Sequence, residues 1–125
     1  MYREIKELRI FEEIEKIADG IWDEVSKWDN FAKFTVGTQL VNAIDSVTAN
    51  MEEADGRYHY RDKLNFLYVG RGSLKEARRW AAKATKRGLF DSNKTKEFFN
   101  RIENVLPQYN AFIADFRKRA KSTPV

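Results

Sequence analysis

The stretch IFEEIEKIADGIWDEVSKW, residues 10–28, determines the fold class of this chain. Its apolar side chains recur at steps of three or four residues, which places them on one face of an α-helix. They are Ile10, Ile14, Ile17, Ile21, Val25 and Trp28. The spacing therefore predicts an amphipathic helix whose apolar face packs against other elements.

The same periodicity recurs in three further segments, so four helices are predicted in all. They cover about residues 5–28, 31–55, 59–87 and 92–119. Helices of similar length with short connections predict an all-α fold, an antiparallel up-down-up-down four-helix bundle, as a single domain over residues 1–125. A frayed tail is expected at residues 121–125. Gly56 and Gly88 each fit the left-handed position that follows a helix end.

The third predicted helix contains Gly70 and Gly72, followed by Ser73. Each glycine in a helix interior costs about 1 kcal/mol relative to alanine. Close approach of another helix would offset that cost, and a local kink is the alternative explanation.

Two helices carry more apolar surface than a monomeric bundle needs. The additional residues are Phe11 and Trp22 on the first helix and Phe99, Leu106 and Ile113 on the fourth. Such wide faces form either extra core or a subunit interface, and the sequence leaves both interpretations open. On the second interpretation these five residues line the contact between copies of a homo-oligomer.

The net charge of +4 conceals a strongly dipolar chain. Residues 1–56 hold 6 Lys and Arg against 13 Asp and Glu, a net of −7. Residues 57–125 hold 17 against 6, a net of +11. Charge separation of this kind favours either a polyanionic partner or the pairing of opposite halves.

The sequence excludes several kinds of chemistry. With no cysteine and a single histidine, His59, thiolate zinc sites, thiol nucleophiles and multi-histidine metal sites are excluded. No phosphate-cradling glycine loop and no serine nucleophile elbow are found, so no cofactor, no metal and no catalytic residue is predicted. One alternative stays open, a metal-dependent nuclease that uses Glu52, Glu53 and Asp55.

The N-terminal residues alternate in charge and contain no long apolar run. Neither a signal peptide nor a membrane span is therefore expected. The expected location is the cytoplasm, with no membrane partner.

Ten cations lie within the third predicted helix and the residues beside it, a density that suits contact with phosphates. Tyr58, Tyr60, Tyr68 and Trp80 are interleaved with them and could stack on bases. The candidate nucleic-acid-binding residues are Arg57, Arg61, Arg71, Lys75, Arg78, Arg79, Lys83, Lys86 and Arg87. The competing explanation is that this helix packs beside the acidic first helix, within one subunit or across an interface, so that the charges pair.

Four short motifs of this chain resemble those of a known family. They are Gly37-Thr-Gln-Leu40, then Asn50-Met-Glu-Glu53 with Gly56-Arg57, then Phe66-Leu67 leading to Gly72-Ser-Leu-Lys-Glu76, and finally Arg87-Gly88-Leu89. Their order and spacing resemble the four-helix-bundle proteins encoded in 23S rRNA intervening sequences, also called the S23 family. The likeness extends from about Leu8 to Arg119.

The resemblance implies a ring-like homo-oligomer, typically a pentamer, with no known catalytic activity. It also implies a link to a related bundle family, the accessory subunits of diversity-generating retroelements, which engage RNA and reverse transcriptase through a basic surface. This chain has Val41 and Asn42 where the family commonly has two arginines, and Thr48 and Ala49 where a proline and a small residue are usual. The loss of two arginines moves any nucleic-acid role from the second helix to the third.

Two hypotheses follow. The first is a non-enzymatic homo-oligomeric bundle that binds nucleic acid, with RNA favoured, through its basic third helix. The second is a protein-interaction scaffold or accessory subunit, for example of a reverse transcriptase, whose charge asymmetry drives oligomer assembly.

Overall fold

Over its described residues, the chain forms four helices joined by short loops. The structure, a computed structural model, describes residues 5, 8–90 and 92–122, without the side chains at 92, 95, 121 and 122. The helices are α1 (Arg9–Val25), α2 (residues 30–56), α3 (Tyr60–Lys86) and α4 (Ser92–Ser122). The predicted all-α bundle is confirmed.

The packing order of the helices separates the acidic first helix from the basic third helix. α1 packs on α2 and α4, and α3 packs on the same two helices. α1 and α3 are thus diagonal to each other, with the core between them. The acidic first helix therefore does not lie beside the basic third helix within one chain.

The helix bounds differ from the predicted ones mainly at the N-terminal side. α1 begins at Arg9, not near residue 5, and ends at Val25. A tighter turn follows the helix, in which the Trp28 N–H donates to the Val25 carbonyl over 3.0 Å. The Trp28 ring is buried, as the apolar stripe predicted. Residues 6 and 7 of the predicted helix lie outside the described residues. At the other end α4 continues through residue 122, where a frayed tail was expected, and residues 123–125 lie outside the described residues.

The second helix contains a wider turn that the sequence pattern did not predict. α2 consists of an α-helical turn, Asn30–Ala32, a π-helical segment, Lys33–Gly37, and an α-helix, Thr38–Gly56. Asp29 caps its start, with its side chain accepting from the backbone N–H of Ala32 over 3.1 Å. A π-turn inserts one extra residue into a helix and shifts the faces on either side of it.

The two predicted glycine stops have different outcomes. Gly88 has a φ of 68°, and the bonds Leu89 N to Ala84 O and Gly88 N to Thr85 O (both 3.0 Å) close a Schellman motif, as predicted. The prediction for Gly56 is wrong. Gly56 is the last residue of α2, and the chain leaves the helix through Arg57 in an extended conformation.

The four predicted apolar stripes meet in one core. Ile14, Ile44, Leu74 and Ile102, one from each helix, are fully buried. Burial of such side chains is worth about 1.5–3 kcal/mol each, which makes this core the main source of stability. At the edges of the stripes some members, such as Phe116, remain half-buried.

Gly70 lies where α3 comes closest to its neighbours. The Tyr109 hydroxyl of α4 donates to the Leu67 carbonyl over 2.7 Å, and a Cβ added at Gly70 would lie 2.3 Å from that hydroxyl and 3.3 Å from the Val47 carbonyl. Close approach, rather than a kink, therefore explains this glycine. Gly72 has no atom within 4 Å of an added Cβ, so the same explanation does not apply to it.

The buried Tyr109 hydroxyl predicts a loss of stability at alkaline pH. Burial raises the pKa of Tyr109 well above its usual range, and the nearby Arg71 charge opposes only part of this. The folded-state pKa exceeds the unfolded value near 10. The contribution of Tyr109 to the free energy of unfolding is therefore complete below pH 10 and falls by about 1.4 kcal/mol per pH unit above it. The conservative variant Tyr109→Phe loses about 1 kcal/mol at neutral pH through the missing hydrogen bond.

Urea unfolding of both proteins from pH 8 to pH 11 tests this. We expect the wild-type advantage to shrink above pH 10 and then to reverse. A constant difference across this range would contradict the assignment.

Candidate nucleic-acid interface

The nine predicted binding residues lie on the surface of α3 and at its two ends. Five are exposed and Arg71, Arg78 and Lys83 are half-buried, while Arg57 is exposed in the loop before the helix. Among the described residues, Arg57 and Arg78 form ion pairs with carboxylates, to Glu53 at 2.6 Å and to Glu103 at 3.3 Å. Within the described part of the chain, the other seven form no ion pair: Arg61, Arg71, Lys75, Arg79, Lys83, Lys86 and Arg87.

Two acidic residues of α1 are paired with α4. Glu13 of α1 accepts from Arg101 of α4 over 3.1 Å, and the buried carboxylate of Glu24 lies 3.3 Å from Lys94 Nζ. Both pairs cross the α1–α4 contact. Among the described residues, the acids of α1 thus form no ion pair with the cations of α3.

Four of the free cations form a stripe along the outward face of α3. Arg61, Lys75, Arg79 and Lys86 follow one another at 14, 4 and 7 residues, each close to a whole number of turns of 3.6 residues. At about 1.5 Å per residue the stripe is roughly 38 Å long. We call these four residues the outward stripe.

Aromatic side chains accompany the cations, although not all are free. Tyr58, in the loop before α3, is 89% exposed, with its ring perpendicular to that of His59. Tyr60 stacks on Phe116 of α4 at 5.4 Å and so joins the start of α3 to the last turns of α4. Tyr68 accepts a hydrogen bond from Arg117 of α4.

Arg117 is a functional candidate that the sequence reasoning missed. It lies almost fifty residues from Tyr68 along the chain, and only the antiparallel packing of α3 on α4 brings the two together. The sequence offered one signal for Arg117, its position among the cations of the last predicted helix.

The five predicted interface residues separate into two groups. Phe11, Leu106 and Ile113 are 7%, 6% and 3% exposed in the single chain, so they belong to its core and have little surface left for a second subunit. Phe99 is half-buried against the same core. Trp22 is 61% exposed and stays available for contact.

Trp22 belongs to an apolar surface at one end of the bundle. Phe31 and Phe34, at the start of α2, are 80% and 69% exposed. A groove of about 260 Å³ lies between α1 and α2, with Trp22, Phe34 and Val41 among its lining residues. The π-helical segment of α2 forms part of its wall.

Carboxylates continue this surface along the contact between α1 and α2. Partial burial of the Asp45 carboxyl raises its pKa, and the negative charges of Glu15 and Asp19 raise it further. Glu15 also accepts a short hydrogen bond from the Thr48 hydroxyl. The α1–α2 seam, defined as Glu15, Asp19, Trp22, Phe34 and Asp45, is thus acidic with an apolar end.

The acidic cluster at the end of α2 has partners of its own. Glu53 is paired with Arg57, and the backbone carbonyl of Asp55 accepts from Lys63 Nζ over 3.1 Å. Glu52 is exposed. Over the described residues, no three His, Asp or Glu side chains gather closely enough to hold a metal ion.

The fold and this surface define the class of protein: a four-helix bundle with one basic face and one acidic face. The family model for the 23S rRNA-intervening sequence protein matches residues 6–111, and the chain belongs to this family. The predicted resemblance is confirmed. A comparison with curated proteins finds no match. Of the helices described, none is long and apolar enough to cross a membrane.

Proposed function

We propose that this protein is a non-enzymatic, cytoplasmic, homo-oligomeric four-helix bundle that binds nucleic acid, with RNA favoured, through α3. The observation that carries the proposal is a set of seven cations, six in α3 and Arg87 directly after it, without a carboxylate partner in the described residues. Cations on one face release counterions when they neutralise phosphates, and this supplies most of the affinity of proteins for nucleic acids. The diagonal position of α1 supports the proposal, because intrachain pairing does not account for the charges of α3.

A salt titration of RNA binding tests the proposal. Four to seven phosphate contacts predict that affinity for a single-stranded RNA falls roughly 50- to 1,000-fold between 50 and 200 mM salt. Fluorescence anisotropy with a labelled oligonucleotide measures this directly. Absence of binding at 50 mM salt, or affinity that does not change with salt, would contradict it.

Self-assembly is part of the proposal, with a pentamer as the form that the family resemblance implies. Its support in the chain is the exposed apolar surface around Trp22, Phe31 and Phe34. Large exposed rings near the end of α1 and the start of α2 are typical of an interaction surface. The core positions of Phe11, Leu106 and Ile113 concentrate the proposed contact on Trp22 and its neighbours.

A second candidate function is a protein-interaction scaffold or accessory subunit, for example of a reverse transcriptase. The observation that favours it is the acidic α1–α2 seam, which is complementary in charge to the outward stripe of α3. In this case assembly of the chain with itself or a partner protein would cover the stripe. Light scattering discriminates between the two: the scaffold predicts an oligomer that dissociates as salt is raised, and a monomer at every salt concentration would remove it.

A cleavage assay distinguishes the nuclease alternative at Glu52, Glu53 and Asp55 from the two functions above. RNA cleavage that requires Mg²⁺, and that is lost when these three residues are changed to alanine, would replace the non-enzymatic assignment. We expect no cleavage with or without Mg²⁺.

A further inference from the structure

Two arginines from different helices meet at the side chain of Tyr68. Arg71, about one turn further along α3, lies over the Tyr68 ring with its Cζ 5.0 Å from the ring centroid. Arg117 of α4 donates from Nη1 to the Tyr68 hydroxyl over 3.3 Å. Arg71 also donates from Nη1 to the side-chain oxygen of Asn110 on α4, over 3.4 Å. Neutral groups from both helices therefore orient the two guanidinium groups.

Neither arginine has a carboxylate partner among the described residues. Two other carboxylates of α4 are already paired, Glu103 with Arg78 of α3 and Asp115 with Arg119 of α4 itself. Two like charges near one ring repel each other, and an anion between them would remove the repulsion. The planar fork of a guanidinium group matches phosphate oxygens, which it binds through two parallel hydrogen bonds.

We propose that Arg71 and Arg117 form a two-helix clamp for a phosphate group, with Tyr68 and Asn110 as positioning residues. The inference rests on the proposed function in one respect, because the phosphate is that of a nucleic-acid backbone. Its chemistry differs from that of the outward stripe. Lys75 and Arg79 of the stripe act as point charges towards a polyanion, whereas the clamp requires the guanidinium fork at two defined positions.

Arginine-to-lysine variants separate the clamp from simple charge attraction, since lysine keeps the charge and loses the fork. Losing a charge-assisted contact of this kind corresponds to about a tenfold loss of affinity. We expect Arg71→Lys and Arg117→Lys each to weaken binding of a single-stranded RNA about tenfold. The matched control, Arg79→Lys on the outward stripe, is expected to leave affinity within about twofold.

A second measurement reports on the arginines themselves and on the source of the phosphate. The Nε–Hε signals of Arg71 and Arg117 in nitrogen-15 NMR spectra are followed while inorganic phosphate is added, with the Arg119 signal as control because its carboxylate partner, Asp115, competes with phosphate. We expect the signals of Arg71 and Arg117 to shift and that of Arg119 to stay in place. Tyr68→Phe, which removes only the hydroxyl that holds Arg117, is expected to reduce the shift of Arg117 while leaving the fold intact.

The outcomes distinguish the clamp from the proposed function. If wild-type protein binds RNA and the three lysine variants behave alike, the clamp is overturned and the function stands. If RNA does not bind but phosphate shifts both arginine signals, the clamp is supported as a site for a free phosphate and the proposed function fails. If RNA does not bind and phosphate shifts neither signal, both are overturned.

Discussion

Reversing three charges of the outward stripe is expected to weaken RNA binding strongly. The variant Arg61→Glu, Lys75→Glu, Arg79→Glu removes three phosphate contacts and places three carboxylates against the same backbone. We expect affinity to fall on the order of 100-fold or more at about 100 mM salt, and the slope of log affinity against log salt to decrease by about 2. Anisotropy titrations of wild type and variant at several salt concentrations measure both quantities.

These three positions keep the test free of folding effects. Each side chain is exposed and forms no ion pair in the described part of the chain, so each change is expected to alter stability by no more than about 0.5 kcal/mol. Arg78 is avoided because it is paired with Glu103. For a matched single change, Arg79→Glu is compared with Lys16→Glu, an exposed position on α1 with the same change of charge. Equal losses from the two single variants would mean that net charge, and not the face of α3, determines binding.

The second large effect concerns stability. Gly70→Ala is expected to destabilise the bundle by roughly 1–4 kcal/mol. The added methyl group would collide with the Tyr109 hydroxyl and press on the Val47 carbonyl, and this cost exceeds the gain of about 1 kcal/mol that alanine offers in a helix. Chemical denaturation followed by circular dichroism measures the change.

Gly72 supplies a control two residues away in the same helix. Gly72→Ala meets no atom within 4 Å, so it is expected to stabilise the protein by up to about 1 kcal/mol. Combining Gly70→Ala with Tyr109→Phe removes the colliding hydroxyl and should recover at least about 1 kcal/mol of the loss. If Gly70→Ala and Gly72→Ala were equally stabilising, the close approach of α3 and α4 at Tyr109 would be wrong.

The sequence predicts the helices well because their signals are local. Apolar side chains such as Ile14 and Ile44 repeat with the period of a helix, and every residue needed to detect the pattern lies within the same segment. Gly88 is another local signal, since a left-handed residue followed by Leu89 is enough to close the helix end. Gly56 carries the same signal but stays helical, because the extended Arg57 after it ends the helix instead.

Features that depend on packing between helices could not be predicted from the sequence pattern. A row such as Leu106 and Ile113 widens the apolar face of α4, and only the positions of α1 and α3 on either side reveal that this width is core. The exposure of Trp22 and Phe34 has the same origin, since no helix packs over that end of α1 and α2 in the described chain.

The candidate site shows the same division. The density of cations on α3 is visible in the sequence, so the basic face is predicted. Which cations are free is not visible, because the partner of Arg78 is Glu103 of another helix. The convergence of Arg71 and Arg117 on Tyr68 likewise arises only when α3 and α4 lie antiparallel.

Ultraviolet crosslinking of a single-stranded RNA to the protein, followed by mass spectrometry of the linked peptides, tests the central claim most directly. The claim is that RNA lies along the outward face of α3 and its contact with α4. The expected result is crosslinks in peptides that contain Arg61, Tyr68 or Arg79, and in the α4 peptide adjoining Arg117. Crosslinks concentrated in the α1–α2 seam, or none above the background of an unrelated basic protein, would contradict it.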